Sequence, residues 1–525
     1  MVPGPERKML VVLPFVNLGA PENEYFAAGI TEEITSRLAT IRELGVISRT
    51  SAIHYAGTSK TAGEIGSDLG VGYILEGTVR WAPEPGGTSR VRITPQLIRV
   101  SDDTHLWSEP YDRVMRDIFE IQSDIAKKVV EHLGLTLLHE KHPAVESSPT
   151  ENLEAYQAYL RAEYFAGQPH FVAKYWEEAA QSYQRAAELD PDFALAHAKL
   201  SIAHARLYYY RHDLSEERRN RARAAIDRAV KLRPDNPEIR LALGYYHLLV
   251  ERDVKAALRE LDRAAKDLPD NAEILEARGN AFQQAGRWEE ALAHLRKACE
   301  LDPLNGSYWE NLAETYWWTR RYPEAMDACD RAISLAPDQM WPYLDKAFNF
   351  WSWKGESSLM ESRRALEAMG PGADPAWIAW AWFHQEVCEG NHLEALGRLE
   401  ALPGDWLRIK ISAYPKSLLS AQIHELMGET QKARDDFEKA RDLLEREIAK
   451  FPDDPRYHSS LGIACAALGR REDAVREGKR AVELLPMSKD AVYGIPYVID
   501  LAQIHVILGE RDAALAHLEI LLSRP

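Results

Sequence analysis

A proline recurs at a fixed interval along the second half of this chain. Pro269, Pro303 and Pro337 are each 34 residues apart, and Pro452 and Pro486 are separated by the same interval. Because proline has no amide donor and cannot continue a helix interior, each proline predicts a stop between two helical patterns. A fixed period in this range indicates stacked supersecondary units rather than one globular core. The chain is therefore predicted to be an extended array, a class that binds other molecules more commonly than it catalyses reactions.

From residue 152 onward, the apolar spacing predicts about ten helix–turn–helix pairs. Their boundaries are expected near Pro191, Pro234, Pro269, Pro303, Pro337, Pro452 and Pro486. Glycines before second helices are expected in tight turns with positive φ: Gly286, Gly428, Gly469 and Gly509. The Pro191-to-Pro234 spacing is nine residues longer than the period. Two stretches also depart from it, namely residues 370–415, which are irregular, and Ser488–Pro496, which form an insertion.

The segments QAGRWEEALAHLRKACELDP and TRRYPEAMDACDRAISLAPD resemble tetratricopeptide repeats. This resemblance implies an all-α solenoid wound as a right-handed superhelix, with the first helix of each repeat lining the concave face. It also implies that the concave face binds a protein or peptide partner.

The first 140 residues do not share the repeat and read as a small α/β domain with a mixed sheet. The predicted strands are Lys8–Phe15, Leu44–Ser48, Val71–Ala82, Ser89–Val100 and Thr104–Tyr111. The predicted helices are Glu24–Ile41, Ala62–Leu69 and Asp117–Leu137. The sequence thus predicts an α/β domain over residues 1–140, a polar linker over 141–151 and a solenoid over 152–525.

Within the α/β region, the segments VVLPFVNLGAPENEYFAAGITEEI, LGVISRTSAIHYAGT and RVRITPQLIRVSDDTHLW resemble the TolB-like amino-terminal domain. This domain occurs in bacterial signalling and regulatory proteins, where it often follows a kinase, cyclase or DNA-binding effector and precedes tetratricopeptide repeats. The resemblance covers about residues 8–137 and implies an architecture rather than an activity. We expect this domain to unfold separately from the repeats.

Composition limits the classes of partner. The formal charge is −17, and basic residues are interleaved with acidic ones, so nucleic-acid binding is not expected. No run of about 18 uncharged apolar residues occurs, so we expect no membrane insertion and a cytoplasmic location.

The chain has no GxxxxGK[ST], no HExxH and no paired Cys/His spacing. The sequence therefore predicts a protein that is not an enzyme and that has no cofactor or metal.

Aromatic residues are concentrated in one part of the array. Nine of the fourteen tryptophans lie between Trp309 and Trp382. Aligning the repeats on their small residues gives a candidate peptide-binding set on the concave side: Trp317, Trp341, Phe348, Trp351, Trp377, Trp380, His384 and Asn280. Indole rings suit peptide recognition because they offer a large rigid area and one polar donor. The alternative is that the rings fill the core of enlarged helix pairs, in which case they are expected to be almost completely buried.

The function predicted from these patterns is a protein–protein interaction scaffold in a bacterial signalling or regulatory assembly. One alternative is a self-assembling structural protein, which an exposed repeat end would favour. Another is the ligand-sensing regulatory half of a kinase- or cyclase-type system. The predicted partner is a protein or peptide of unknown identity, and homo-oligomerisation stays open.

Overall fold

The structure is a computed structural model. It describes residues 8–20, 24–39, 41, 43–82, 90–114, 118–135, 149–167, 172–210, 212–370 and 375–523. Most of the predicted linker, residues 141–148, lies outside these ranges. The predicted boundaries of the α/β domain, the linker and the solenoid therefore stay a prediction.

The chain forms two compact units. Unit 1 consists of Met1–Arg278 with His294–Asn305, and unit 2 consists of Gly279–Ala293 with Gly306–Pro525. Unit 1 contains the amino-terminal α/β region and the first repeats. Unit 2 contains most of the later repeats and all eight candidate site residues.

A mixed sheet forms the amino-terminal region of unit 1, as predicted. Its strands are β1 (Lys8–Val12), β2 (Val16–Asn17), β3 (Leu44–Ile47), β4 (Tyr73–Ala82), β5 (Arg90–Arg99), β6 (Thr104–Ser108) and β7 (Tyr111–Val114). The order is β3-β1-β4-β5-β6, with β2 beside β4 and β7 beside β5. Strand β1 runs parallel to β3 and β4, whereas β5 runs antiparallel to β4, β6 and β7.

The strand boundaries differ from the predictions at two prolines. The predicted strand Lys8–Phe15 ends at Val12, just before Leu13 and Pro14, and the predicted strand Thr104–Tyr111 is two strands separated by Glu109 and Pro110. Proline cannot donate a hydrogen bond to a neighbouring strand, so it interrupts the ladder. The helices of this region are α1 (Glu24–Ala39), α2 (Arg49–Ala52), α3 (Ala62–Leu69) and α4 (Ile118–His132).

Ten helix pairs follow in the described residues, and the chain is about 69% helical. The first five pairs are α5 (Leu153–Ala166) with α6 (Ala173–Leu189), α7 (Ala194–Tyr209) with α8 (Glu216–Leu232), α9 (Pro237–Tyr246) with α10 (Val254–Asp267), α11 (Ala272–Gln284) with α12 (Trp288–Leu301), and α13 (Gly306–Trp318) with α14 (Tyr322–Leu335). The last five are α15 (Trp341–Lys354) with α16 (Leu359–Glu367), α17 (Pro375–Cys388) with α18 (His392–Ala401), α19 (Lys416–Leu426) with α20 (Thr430–Lys450), α21 (Pro455–Ala467) with α22 (Arg471–Leu484), and α23 (Ile495–Ile507) with α24 (Arg511–Leu522). All seven boundary prolines lie between helices, as predicted.

Both predicted departures from the repeat are present in unit 2. Within the irregular stretch, a short hairpin of β8 (Trp406–Arg408) and β9 (Ala413–Pro415) separates α18 from α19. The insertion before α23 carries Ala491, whose amide donates to Gln284 O at 2.8 Å. The turn glycines Gly428, Gly469 and Gly509 have φ of 76°, 76° and 75°, the left-handed conformation expected for them.

The α/β region and the first repeats share one hydrophobic core. Leu160 of α5 packs against Gly29 of α1, where an added Cβ would lie 2.5 Å from Leu160 Cδ2. The buried Gln122 of α4 donates to the hydroxyl of Tyr156 in α5 at 2.9 Å. Buried side chains continue from the sheet to Ala225 in α8. The shared core does not support the expectation that the amino-terminal domain unfolds separately.

Candidate functional site

Seven of the eight candidate residues lie on three successive first helices of unit 2. They form what we call the aromatic row: Trp317 on α13, Trp341, Phe348 and Trp351 on α15, and Trp377, Trp380 and His384 on α17. Each side chain is partly exposed, and five of the rings pack with one side against buried residues such as Leu344 and Ala381. Every member is neither fully buried nor fully exposed, so the row lies at the edge of the helix core.

Ring contacts connect the three helices. The Trp317 and Phe348 centroids are 6.3 Å apart, and Phe348 meets Trp380 edge-on at 5.4 Å. Trp341 and Trp377 are also edge-on, at 4.8 Å, and Trp377 lies 5.7 Å from Trp380. Edge-to-face geometry is the arrangement that aromatic rings prefer. The row is therefore one continuous aromatic surface crossing three repeats.

The indole N–H groups of the row differ in how they are used. Trp351 Nε1 donates to Ser362 Oγ at 3.1 Å and to Gln385 Oε1 at 2.9 Å, which anchors that ring to α16 and α17. Trp380 Nε1 is buried and has no hydrogen-bond partner among the residues that the structure describes. A buried donor without a partner is costly, so Trp380 Nε1 is an unsatisfied polar group within the row.

His384 lies at one end of the row. Its ring lies 4.3 Å from Trp380 and 6.4 Å from Trp351. Burial lowers the pKa of His384 to about 4, so the imidazole is neutral at physiological pH. No hydrogen bond to either ring nitrogen is made within the described ranges, and this end of the row is uncharged.

Asn280, the eighth candidate, is not brought into the row. It lies on α11, before α13, and takes no part in the chain of ring contacts. Its neighbour Gln283 spans the gap between these helices by donating to the Thr315 hydroxyl. The site prediction for Asn280 thus has less structural support than the prediction for the other seven residues.

Carboxylates line the same helix faces as the rings. Glu310 and Glu314 precede Trp317 on α13, and Asp345 lies between Trp341 and Phe348 on α15. Burial raises the pKa of Asp345 well above its usual range, and the charges of Glu310 and Glu314 raise it further. The sequence analysis missed Glu314 and Asp345, although their spacing of three residues from Trp317 and Phe348 was visible and indicates a shared helix face.

Lys410, in the β8–β9 hairpin, acts electrostatically on Glu314, one of these carboxylates. Its Nζ lies 4.4 Å from the centre of the Tyr493 ring and donates to the Tyr493 hydroxyl at 2.5 Å. Burial raises the pKa of Glu314, and the charge of Lys410 opposes that shift. No periodic signal in the irregular segment could have placed Lys410 here, because this contact depends on the path of the chain between α18 and α19.

Family comparison agrees with this helix pairing. A tetratricopeptide-repeat family matches residues 211–273, 246–304, 276–339 and 426–488, and a second tetratricopeptide-repeat family matches 497–519. The chain contains tetratricopeptide repeats. The matched residues include α13 and Trp317 in the aromatic row, whereas α15 and α17 lie outside them.

Curated relatives match part of the chain. Putative adenylate cyclase 3 of Rhizobium meliloti (strain 1021) is 38% identical over 199 residues, which are 38% of this chain and 33% of that protein. The Hsp70-Hsp90 organizing protein of Triticum aestivum is 23% identical over 208 residues, covering 40% of this chain and 34% of that protein. The chain therefore spans about a third of the length of each relative.

Among solved structures, the human IFIT1 dimer with PPP-AAAA is similar over 70% of this chain and 78% of its own, at 13% identity and a TM-score of 0.41. In the part of the chain that the structure describes, no helix is both long and apolar enough to cross a membrane. Nor do three or more His, Cys, Asp or Glu side chains converge there in a way that could hold a metal ion.

Proposed function

We propose that this protein is a non-catalytic scaffold that binds a peptide segment of a protein partner along the aromatic row. The observation that carries the proposal is the continuous, partly exposed aromatic surface on α13, α15 and α17. Contiguous apolar surface of this kind on a protein commonly marks an interaction site. Tetratricopeptide arrays are in general scaffolds, which agrees with this role.

The row suits a peptide for three reasons. Its rings are held in place by contacts with each other, so little ordering is needed on binding. Its rings keep part of their surface exposed, so a peptide can cover apolar area there without any change in the helices. Its flanking side chains on α13 and α15 include acids rather than the Lys and Arg that neutralise phosphates, which disfavours nucleic acid as the ligand.

We place this scaffold in a bacterial signalling or regulatory assembly in the cytoplasm. The resemblance of residues 8–137 to the TolB-like domain supports that setting, and so does the 38% identity to a putative adenylate cyclase. The chain covers a third of that relative, so the cyclase name alone assigns no activity to this chain. The regulatory half of a cyclase-type system is compatible with the same scaffold.

The test is selection of binders from a random-peptide library displayed on phage. Trp380→Ala should weaken binding of the selected peptides by about 2 kcal/mol or more, as for an interface hot spot. The matched control is Trp353→Ala, because Trp353 is 42% exposed on the same helix as Trp351 but does not belong to the row. Circular dichroism verifies that helicity is retained. Binding unchanged in a folded Trp351→Ala/Trp380→Ala double variant would exclude the row as the site.

A second candidate function is self-association through the last repeat. Seven large apolar side chains on α23 and α24 are exposed: Ile499, Val506, Ile507, Leu515, Leu518, Ile520 and Leu522. Light scattering should show a mass that rises with concentration, and Leu515→Lys with Leu522→Lys should abolish the rise. A monomeric mass at every concentration would remove this candidate.

A further inference from the structure

The acidic side chains beside the aromatic row sit one helical turn away from its rings. Glu314 precedes Trp317 by three residues, and Asp345 precedes Phe348 by three, so each acid shares a helix face with a ring. Trp317 and Phe348 are in contact at 6.3 Å, which brings the two faces together. A ligand lying on the rings would therefore meet these carboxylates.

Asp345 is the least compensated of these acids. Its carboxylate makes no hydrogen bond or ion pair within the described part of the chain, although its side chain is largely buried. The charges that shift its pKa are those of Glu310 and Glu314, and both raise it. Burial and two neighbouring acids disfavour the ionised form of Asp345, and an incoming cation would favour that form again.

The rings next to Asp345 are themselves suited to a cation. Trp341 lies one turn before Asp345 on α15, and its ring meets Trp377 at 4.8 Å. Faces of tryptophan and phenylalanine rings attract ammonium and guanidinium groups. The long apolar stem of lysine or arginine can lie along such rings while its charged end reaches an acid.

The chain already contains one example of this arrangement. Lys410 places its ammonium 4.4 Å from the centre of the Tyr493 ring, and its charge stabilises the ionised form of Glu314. The negative charge of Asp490 acts on Glu314 in the opposite direction. Asp345, by contrast, has Glu310 and Glu314 as neighbours, which both disfavour its ionised form. A lysine of this chain thus favours the charged form of Glu314, whereas Asp345 makes no ion pair within the described residues.

We infer that the aromatic row selects a partner segment carrying lysine or arginine, whose cationic group pairs with Asp345 while its stem lies on Trp341 and Phe348. The inference rests on the proposed function, since it names the chemistry of the peptide that the row binds. It commits to a basic peptide as the occupant because the helix faces that carry the aromatic row also carry acidic side chains.

The probe is the phage-displayed random-peptide library, made in three forms with the central residue fixed as Lys, Gln or Glu. The wild-type protein should enrich the Lys form over the other two. Asp345→Asn is nearly isosteric and removes an ionisable group whose charged form is disfavoured by burial, so it should fold. It should lower the affinity for the best Lys peptide by at least about 10-fold, since truncating one partner of a desolvated charge pair is expensive.

Two further variants are compared with Asp345→Asn. Asp327→Asn removes one charge from an exposed position on α14 and should leave the affinity unchanged. Glu314→Gln provides a second change in the acidic group and should reduce the preference for Lys less than Asp345→Asn does, because Glu314 already has Lys410.

The outcomes separate the two proposals. If peptides are enriched and lost in Trp380→Ala but show no preference for Lys, the inference fails and the proposed function stands. An equal effect of Asp345→Asn and Asp327→Asn also overturns the inference. If no form of the library is enriched, or if enrichment survives Trp351→Ala with Trp380→Ala, both proposals fail.

Discussion

The contact between Gly29 and Leu160 offers a direct test of the core shared by the amino-terminal region and the first repeats. A Cβ added at Gly29 would lie 2.5 Å from Leu160 Cδ2 and 2.8 Å from Leu160 Cγ. Leu160 is 2% exposed, so neighbouring side chains restrict its movement. Gly29→Ala should therefore overpack the contact between α1 and α5.

The magnitude follows from two opposing terms. Overpacking costs about 1–3 kcal/mol, while alanine gains about 1 kcal/mol over glycine in a helix interior. The free energy of unfolding should thus fall by up to about 2 kcal/mol. Leu160→Ala alone should cost about 2–5 kcal/mol. In that background the atoms that clash are gone, and Gly29→Ala should raise the free energy of unfolding by about 1 kcal/mol.

The assay is a double-mutant cycle, with urea unfolding followed by circular dichroism and tryptophan fluorescence. Gly63→Ala is the matched control. Position 63 is a helical glycine on α3 with no atom nearer than 4.0 Å to an added Cβ, so its effect should be the same in both backgrounds. Additive effects of Gly29→Ala and Leu160→Ala within about 0.5 kcal/mol would refute the reasoning. So would two separate unfolding transitions, each moved by one substitution.

Two further predictions concern stability. Burial raises the pKa of Glu238 to about 7, with Glu33, Glu163 and Glu273 adding to the shift and Lys199 opposing it. The native state therefore binds this proton more tightly than the unfolded state, and stability falls as the pH rises from about 4.5 through about 7. Glu238→Gln should reduce this slope and stabilise the protein above about pH 7 by up to about 3 kcal/mol, as measured by urea unfolding across pH. In unit 2, Gly469 has a φ of 76°, so Gly469→Ala should destabilise the protein by about 1–2 kcal/mol. Gly397 lies in open space on α18, so Gly397→Ala should stabilise the protein by up to about 1 kcal/mol. Melting temperatures that move in the same direction for both variants would contradict these two backbone assignments.

Local patterns in the sequence predicted most of the helices and strands and their order, but not β2, α2 or the β8–β9 hairpin. Helix α3 has the predicted limits Ala62–Leu69, and its capping box of Thr61 and Glu64 is encoded within four residues. The turn glycines adopt the left-handed backbone that their position requires. Such features depend on groups a few residues apart, so no knowledge of the tertiary structure is needed to identify them.

Part of the candidate site could be predicted for the same reason. Trp377, Trp380 and His384 recur at helical spacing, so their common face on α17 follows from the sequence. That the rings of three helices meet as one row also follows from the stacking of repeats. Asn280 lies outside the row because its helix, α11, precedes the three first helices that carry the rings.

The charge balance of the site was decided by tertiary structure alone. Lys410 and Tyr493, which meet beside the acids of the site, are 83 residues apart in the sequence. The contact between Gly29 and Leu160 in unit 1 likewise joins residues that are 131 apart. The first pair belongs to the two stretches of unit 2 that depart from the repeat, where no period predicts the path of the backbone. The burial that raises the pKa of Asp345 likewise results from how successive helices pack. The sequence alone therefore determines which helices form and which rings share a face, whereas only the folded chain determines which charges are buried and which have a counter-ion, because these depend on contacts between distant residues.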